Sequence, residues 1–278
     1  MTKLLVALDI DGTILRHVGA PISSRVLAAV VAAHSAGHHI VLSTGRSAAA
    51  TLPVAAVLGL DCGFAVCSNG AVTLRLDSSA PDGHSVVRCA TFDPQAVLEA
   101  LKRTWPSCVV AVEVPGTQGF RITETFPRQL LAGPVVARAW EELGVKGAMR
   151  VIFHAPGATA AAAMQMAEML GLRVVEDASG LTNASEIISK AVSKAAALEA
   201  LRVDLGVAVQ HTVAIGDHAN DIEMLLWAKR GVAMGQAAQA VKDAATEVTA
   251  SVEDDGLAVA LEPMIRTRMS RADPLVQD

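Results

Sequence analysis

Within residues 3–11, KLLVALDID, the positions from Leu4 to Leu8 are apolar at even and odd numbers alike. A strand turns alternate side chains to opposite faces. Such a run therefore fits only where both faces are buried, as in the middle of a parallel sheet. The run stops on two carboxylates one residue apart, Asp9 and Asp11, followed by Gly12. Residues i and i+2 of a strand point the same way, and two like charges side by side repel unless a cation or a phosphate-like ligand lies between them. A plain strand end with an Asp-Gly turn has the same composition, so the rest of the chain must decide.

Downstream, strands and helices alternate. A helix is expected from Pro21 to about Gly37, with Ser23 or Ser24 as its N-cap. HHIVLSTGR, 38–46, reads as the second strand. A helix over about 47–59 follows, kinked or delayed by Pro53, and then a third strand at 64–71. Alternation of this kind implies parallel βαβ units. From about 77 to 85 the chain is polar and turn-rich. Shorter segments follow to about 187: strands near 85–92, 108–114, 120–124, 150–155, 172–177 and 184–188, with helices near 94–104 and 157–170. Beyond 193 the first pattern returns, with HTVAIGD and GVAMG as strands, and the tail after about 265 is expected to fray. The expected fold is α/β: a Rossmann-like parallel sheet core, residues 1–81 and 188–278, with an inserted α+β domain over 82–187. The hinges of the insert are expected at 77–85 and 186–192, both leaving the strand-end side.

The ends of the predicted parallel strands share a chemistry. The first ends in Asp9-Ile-Asp11-Gly-Thr13, the second in Ser43-Thr44-Gly45-Arg46, and a late one in Gly216-Asp217-His-Ala-Asn220-Asp221. Lys194 opens the helix after the insert. Open α/β sheets bind ligands outside their carboxyl strand ends. Taken singly, each cluster is accounted for by a helix cap or a turn. Taken together they gather carboxylates for a hard cation and donors for an oxyanion.

Composition narrows the classes. The 278 residues carry a formal net charge of −5, and 3% are aromatic with no tyrosine, which does not suit a basic, stacking nucleic-acid surface. Cys62, Cys67, Cys89 and Cys108 show no metal-ligand spacing and read as buried thiols of a reducing compartment. No apolar run reaches the length of a membrane span. The expectation is a cytoplasmic protein, monomer or homodimer, that binds neither membrane nor nucleic acid. No G-x-G-x-x-G follows a strand, so a dinucleotide site is not expected.

These motifs, in this order, resemble those of the haloacid dehalogenase-like hydrolase superfamily: DIDGT, the Thr44 hydroxyl in LSTGR, Lys194 in AVSKAAAL, and GDHAND. The size and position of the insert resemble the family's larger α/β (type IIB) cap, and CSNGA and GVAMGQA resemble its Cof-like sugar-phosphate phosphatases. Ala191 and Ala195 depart from that group, which usually has glycine around the lysine. The resemblance implies a Mg²⁺-dependent phosphatase of small phosphorylated metabolites, with sugar phosphates foremost. Asp9 would be the nucleophile and Asp11 the general acid and base. Asp9 and Asp217 would bind Mg²⁺ by carboxylate and Asp11 by its backbone carbonyl, with Asp221 binding directly or through a water. Thr44, Gly45 and Lys194 would hold the phosphoryl oxygens. Asn220 would touch the phosphate or orient Lys194. Arg46 would lie beside the phosphate or hold the cap by a salt bridge, and Thr13 would fix the loop.

In the insert, Glu113, Arg121, His154 and Glu186 are candidates to meet a substrate or to serve the fold. Two other readings use the same residues: a phosphomutase or phosphotransferase on this scaffold, and a non-catalytic phospho-accepting or binding scaffold. The second leaves the paired acid Asp11 without a purpose.

Overall fold

The computed structural model describes residues 3–116, 119–176 and 184–269. In chain order, β1 (Leu5–Leu8), α1 (Ser24–Ser35), β2 (His39–Ser43), α2 (Ala48–Val57) and β3 (Cys62–Cys67) form the expected alternation. β4 (Val72–Asp77) and β5 (His84–Cys89) follow as a hairpin. The insert holds α3 (Gln95–Thr104), β6 (Val109–Glu113), β7 (Phe120–Ile122), β8 (Val135–Ala137), β9 (Arg150–His154), α4 (Ala160–Met169), β10 (Leu172–Glu176) and β11 (Ala184–Ser189). The chain returns through α5 (Lys194–Asp204), β12 (Thr212–Gly216), α6 (Ile222–Trp227), β13 (Arg230–Ala233), α7 (Gln239–Ala244), β14 (Glu247–Val248) and α8 (Gly256–Met269).

One sheet has the order β14-β13-β12-β1-β2-β3-β4-β5. It is parallel from β14 to β3 and antiparallel through the β4–β5 hairpin. β1 is buried on both faces, as its sequence requires. Val6 and Leu8 pack with α1 and α8 on one side, while Leu5 and Ala7 pack with α5 and α6 on the other. The Ser23 side chain caps α1 by accepting the Val26 N–H at 3.1 Å. Pro53 lies inside α2 without delaying its start.

The second sheet has the order β10-β11-β9-β6-β7-β8 and is antiparallel apart from the β7–β8 pair. Its strands alternate cleanly. Val110, Val112, Val151 and Phe153 face α3 and α4, while Ala111, Ile152, Phe120 and Ile122 face away from them.

Several expectations need correction. Strand β4 was not foreseen, and the segment expected to open the insert is β5 of the first sheet. The boundary at 81/82 therefore falls inside a hairpin turn. That turn is not a hinge either. Cys62 pairs with Asp77 and Cys67 with Val72, so β4 runs away from the strand ends, and β5 returns to set Cys89 beside Val72. A hairpin turn and a linker have the same polar composition, and only the pairing tells them apart. The chain leaves the first sheet after Cys89 and leaves the second after Ser189. Cys62 and Cys89 are exposed, unlike Cys67 and Cys108. Helix α8 continues to Met269 where fraying was expected; the tail from 270, like Asp177 of the expected 172–177 strand, lies outside the described residues. Among the described residues no helix is long and apolar enough to cross a membrane.

Candidate active site

Four neighbouring strands, β12, β1, β2 and β3, release Asp217, Asp9, Thr44 and Ser68 from their carboxyl ends. The backbone knits these ends together. Asp9 N–H donates to Ile215 O at 3.0 Å, Asn69 N–H to Thr44 O at 3.0 Å, and Ser68 N–H to Arg46 O at 2.8 Å. Two glycines make the approach possible. Gly12 has φ +77°, and a Cβ there would stand 2.0 Å from Asp217 Oδ2. Gly70 has φ +103°, and a Cβ there would meet Ser193 O at 2.2 Å, so the first turn of α5 lies directly against the β3–β4 corner.

That helix start delivers Lys194, whose N-cap Ser193 accepts the Ala196 N–H at 3.1 Å. The local geometry is thus regular despite Ala191 and Ala195. Lys194 is 1% exposed, and its Nζ donates to Asp9 Oδ1 and to Asp221 Oδ1, each at 2.6 Å. Asp221 is fully buried, and its Oδ2 accepts the N–H groups of Asp217 at 2.9 Å and His218 at 3.0 Å. Oxygens of Asp9, Asp217 and Asp221 lie within 4.8 Å of one another. Burial and the neighbouring Asp221 push the Asp9 carboxyl up to about 8, against the pull of Lys194. Burial works to lower Lys194, but Asp221 and Asp9 outweigh it and hold the ammonium above its ordinary value. His218 hydrogen-bonds Asp217 at 2.8 Å, which raises its imidazole to about 8. Thr13 donates to Asp217 Oδ1 at 3.5 Å, the outer limit of a hydrogen bond, and Gln236 donates to Gly12 O at 2.6 Å.

A second cluster gathers beside the first. Arg46 donates to both oxygens of Asp11, at 2.7 and 2.6 Å. Its ion pair is therefore made within the core and not to the insert. The Thr44 hydroxyl accepts the Arg46 N–H at 3.1 Å. Asn220 donates to Asn69 Oδ1 at 3.0 Å, not to Lys194. Arg150 is a buried tie between the insert and the core, beside the more exposed Arg173–Glu223 pair and the Ser47 hydroxyl on Ala132 O. The Arg150 Nε stands 2.5 Å from Glu113, and its Nη1 donates to Glu186 and to Gly45 O, both at 2.8 Å. Ser68 completes Glu113 at 3.0 Å, and Asn69 completes Glu186 at 3.1 Å.

Of the candidates in the insert, Glu113 and Glu186 are buried in this network. Arg121 bonds the carbonyls of Glu142 and Gly144, at 3.0 and 2.9 Å, and His154 faces the cavity. Arg150, Ser68 and Asn69 were missed. A signal existed: Glu113 ends, Arg150 opens and Glu186 lies within strands that are otherwise largely apolar, and Glu113 sits opposite Arg150 in the register. A cavity of about 600 Å³ lies between the two sheets, bordered on the core side by Asp9, Asp11, Thr44, Gly45, Arg46 and Asn220. Its size suits a small ligand.

The chain matches the sequence profile of the haloacid dehalogenase-like hydrolases over residues 6–103 and 158–261. The 5-amino-6-(5-phospho-D-ribitylamino)uracil phosphatase YitU of Bacillus subtilis is 44% identical over 73 residues, which are 26% of this chain and 27% of that protein. This match spans about a quarter of that relative's length. A candidate phosphatase of Streptococcus pyogenes serotype M6 is 28% identical over 275 residues, 95% of this chain and 99% of that protein. The solved structure of the phosphatase BT1666 from Bacteroides thetaiotaomicron aligns with a TM-score of 0.76 at 27% identity and covers 95% of each chain.

Proposed function

The chain belongs to the haloacid dehalogenase-like hydrolase family, and we propose that it is a Mg²⁺-dependent phosphatase of small phosphorylated metabolites that works through an aspartyl-phosphate on Asp9. Sugar phosphates are the class that the sequence resemblance favours. The observation that carries this reading is the buried Asp9 at a cavity floor, hydrogen-bonded to Lys194, with Asp11 two residues on.

A carboxylate oxygen of Asp9 attacks phosphorus, and the ester bond to the alcohol breaks. Asp11 gives its proton to the departing alkoxide. Water then attacks the aspartyl-phosphate, Asp11 takes the proton back, and Asp9 is freed with release of phosphate. Thr44, the Gly45 N–H and Lys194 are suited to hold the phosphoryl oxygens. Arg46 occupies both oxygens of Asp11. It must release one before Asp11 can carry a proton, and a phosphoryl group in the same cavity offers Arg46 another anion. Asn220 braces Asn69 beneath the site.

A hard cation fits the residues present. The donor set is oxygen only, three buried carboxylates converge, and Lys194 is the single cation between Asp9 and Asp221. Asp9 and Asp217 would hold it by carboxylate and Asp11 by its carbonyl. Both oxygens of Asp221 are already hydrogen-bonded, which favours a role through water. When bound, Mg²⁺ supplies the positive charge that keeps Asp9 ionised and neutralises the transferring group. The test is phosphate release from acetyl phosphate by metal-stripped protein. It should be absent in EDTA and restored by Mg²⁺; full activity in EDTA contradicts the metal requirement.

A further inference from the structure

The wall of the cavity that faces Asp9 is apolar. Phe120, Phe126, Leu130, Leu131 and Ile152 border it from the insert, on the sheet face turned away from α3 and α4. Across from them, Ala49, Ala50 and Pro53 of α2 continue the apolar surface. The polar residues on the insert side are few. Arg150 and Glu186 are committed to each other, to Gly45 and to Asn69. That leaves Gln129 and His154 as side chains of the insert with polar atoms on this wall and no other hydrogen bond among the described residues.

A bare hexose phosphate brings several hydroxyl groups to such a wall. Each hydroxyl buried without a partner loses its bonds to water, and two side chains do not replace them. An apolar ring of the same size displaces water from the wall at no such cost. We infer that the preferred substrate is a phosphomonoester whose alcohol carries an apolar or aromatic ring, with the phosphate at Asp9 and the ring against the Phe120–Ile152 wall. This narrows the sugar-phosphate expectation and rests on the phosphatase reading above.

The experiment compares kcat/KM of the full chain with Mg²⁺ for benzyl phosphate and glucose 6-phosphate. Both release alkoxides, so their demand on the proton of Asp11 is matched. Benzyl phosphate should lead by about tenfold or more. Leu131 is half-buried just after the short 3-10 helix Arg128–Leu130, and Leu131→Ser should lower the benzyl value severalfold more than the hexose value. Where acetyl phosphate is hydrolysed, a hexose phosphate that is equal or better, turnover of neither ester, or an equal loss on both in Leu131→Ser overturns the inference. Acetyl phosphate, which has neither ring nor hydroxyl, serves as the control. If it is not hydrolysed, the phosphatase reading fails, and calorimetry then decides the inference alone. Benzylphosphonate should bind the Asp9→Asn protein more tightly than glucose 6-phosphate, and equal or weaker binding contradicts the assignment.

Discussion

Among the described residues, two buried cations lie between carboxylate pairs, Lys194 at the core strand ends and Arg150 in the insert. Lys194 bridges Asp9 and Asp221; Arg150 bridges Glu113 and Glu186. For both, burial works against the charge and the carboxylates outweigh it. They differ in what surrounds them. Around Arg150 the other carboxylate oxygens receive Ser68 and Asn69, and the guanidinium also reaches Gly45 O. Around Lys194 three carboxylates, Asp9, Asp217 and Asp221, face two basic groups, Lys194 and the His218 imidazole on Asp217, and Asp9 is left with a raised affinity for protons. A cluster in which every carboxylate oxygen faces the guanidinium or a donor fixes geometry. A cluster with surplus negative charge attracts a cation, a proton or a phosphoryl group. On this account the insert cluster holds the core loops in place and the core cluster does the chemistry.

The sharpest way to break the contrast is to neutralise one member of each cluster. Asp9→Asn should cut turnover by about ten-thousandfold or more while leaving the fold intact. Near-normal turnover would remove Asp9 from the mechanism. Arg150→Met should instead act on stability. It strands two buried carboxylates and should cost roughly 3–5 kcal/mol in urea unfolding. Adding Glu113→Gln and Glu186→Gln to it should recover much of that loss, and a single variant as stable as wild type would show that the network is not a tie.

Asp11→Asn should have a smaller effect that depends on the leaving group. In single-turnover transfer of the phosphoryl group to Asp9, a loss of about a hundredfold is expected with alkyl phosphates, and much less with p-nitrophenyl phosphate, whose leaving group needs no proton. Equal losses on both would take the acid role from Asp11.

The smallest effect is in the pH dependence of stability without metal. Asp9 is raised from 3.8 to about 8, so the folded protein binds more protons than the unfolded chain between these values. The stabilising contribution is complete below about 4 and is lost as pH rises through about 8. His218, raised from 6.5 to about 8, acts in the same direction at the upper end. Urea midpoints in EDTA should therefore fall from pH 5 to pH 8, and Mg²⁺ should flatten the slope. The same slope in Asp9→Asn would assign it to other groups.

How much of this could be read in advance follows a physical line. β1 was legible because its apolar residues occupy both parities, and the strand-end groups from Asp9 to Asp221 because a parallel sheet gathers such ends on one side. Lys194 followed from the resemblance of AVSKAAAL to the family motif; its place at a helix start alone did not single it out. The β4–β5 hairpin and the Glu113–Arg150–Glu186 network were not legible, because both depend on which strand pairs with which and in what register. Ser68 and Asn69 hold φ of 50° and 56°; Asn69, before Gly70, is of a type common in that region, but Ser68 does not advertise it, and neither residue shows which carboxylate it meets. The bidentate Arg46–Asp11 pair depends on the packing of one loop against another and has no local mark.

The most direct test of the central claim is to trap the covalent intermediate. Asp11→Asn protein with Mg²⁺ and acetyl phosphate needs no acid for the first step and lacks the base for the second. Borohydride reduction followed by peptide mass spectrometry should then find close to one homoserine per chain, at position 9. Continued phosphate release with Asp9 unmodified, or label on another residue, would contradict the account.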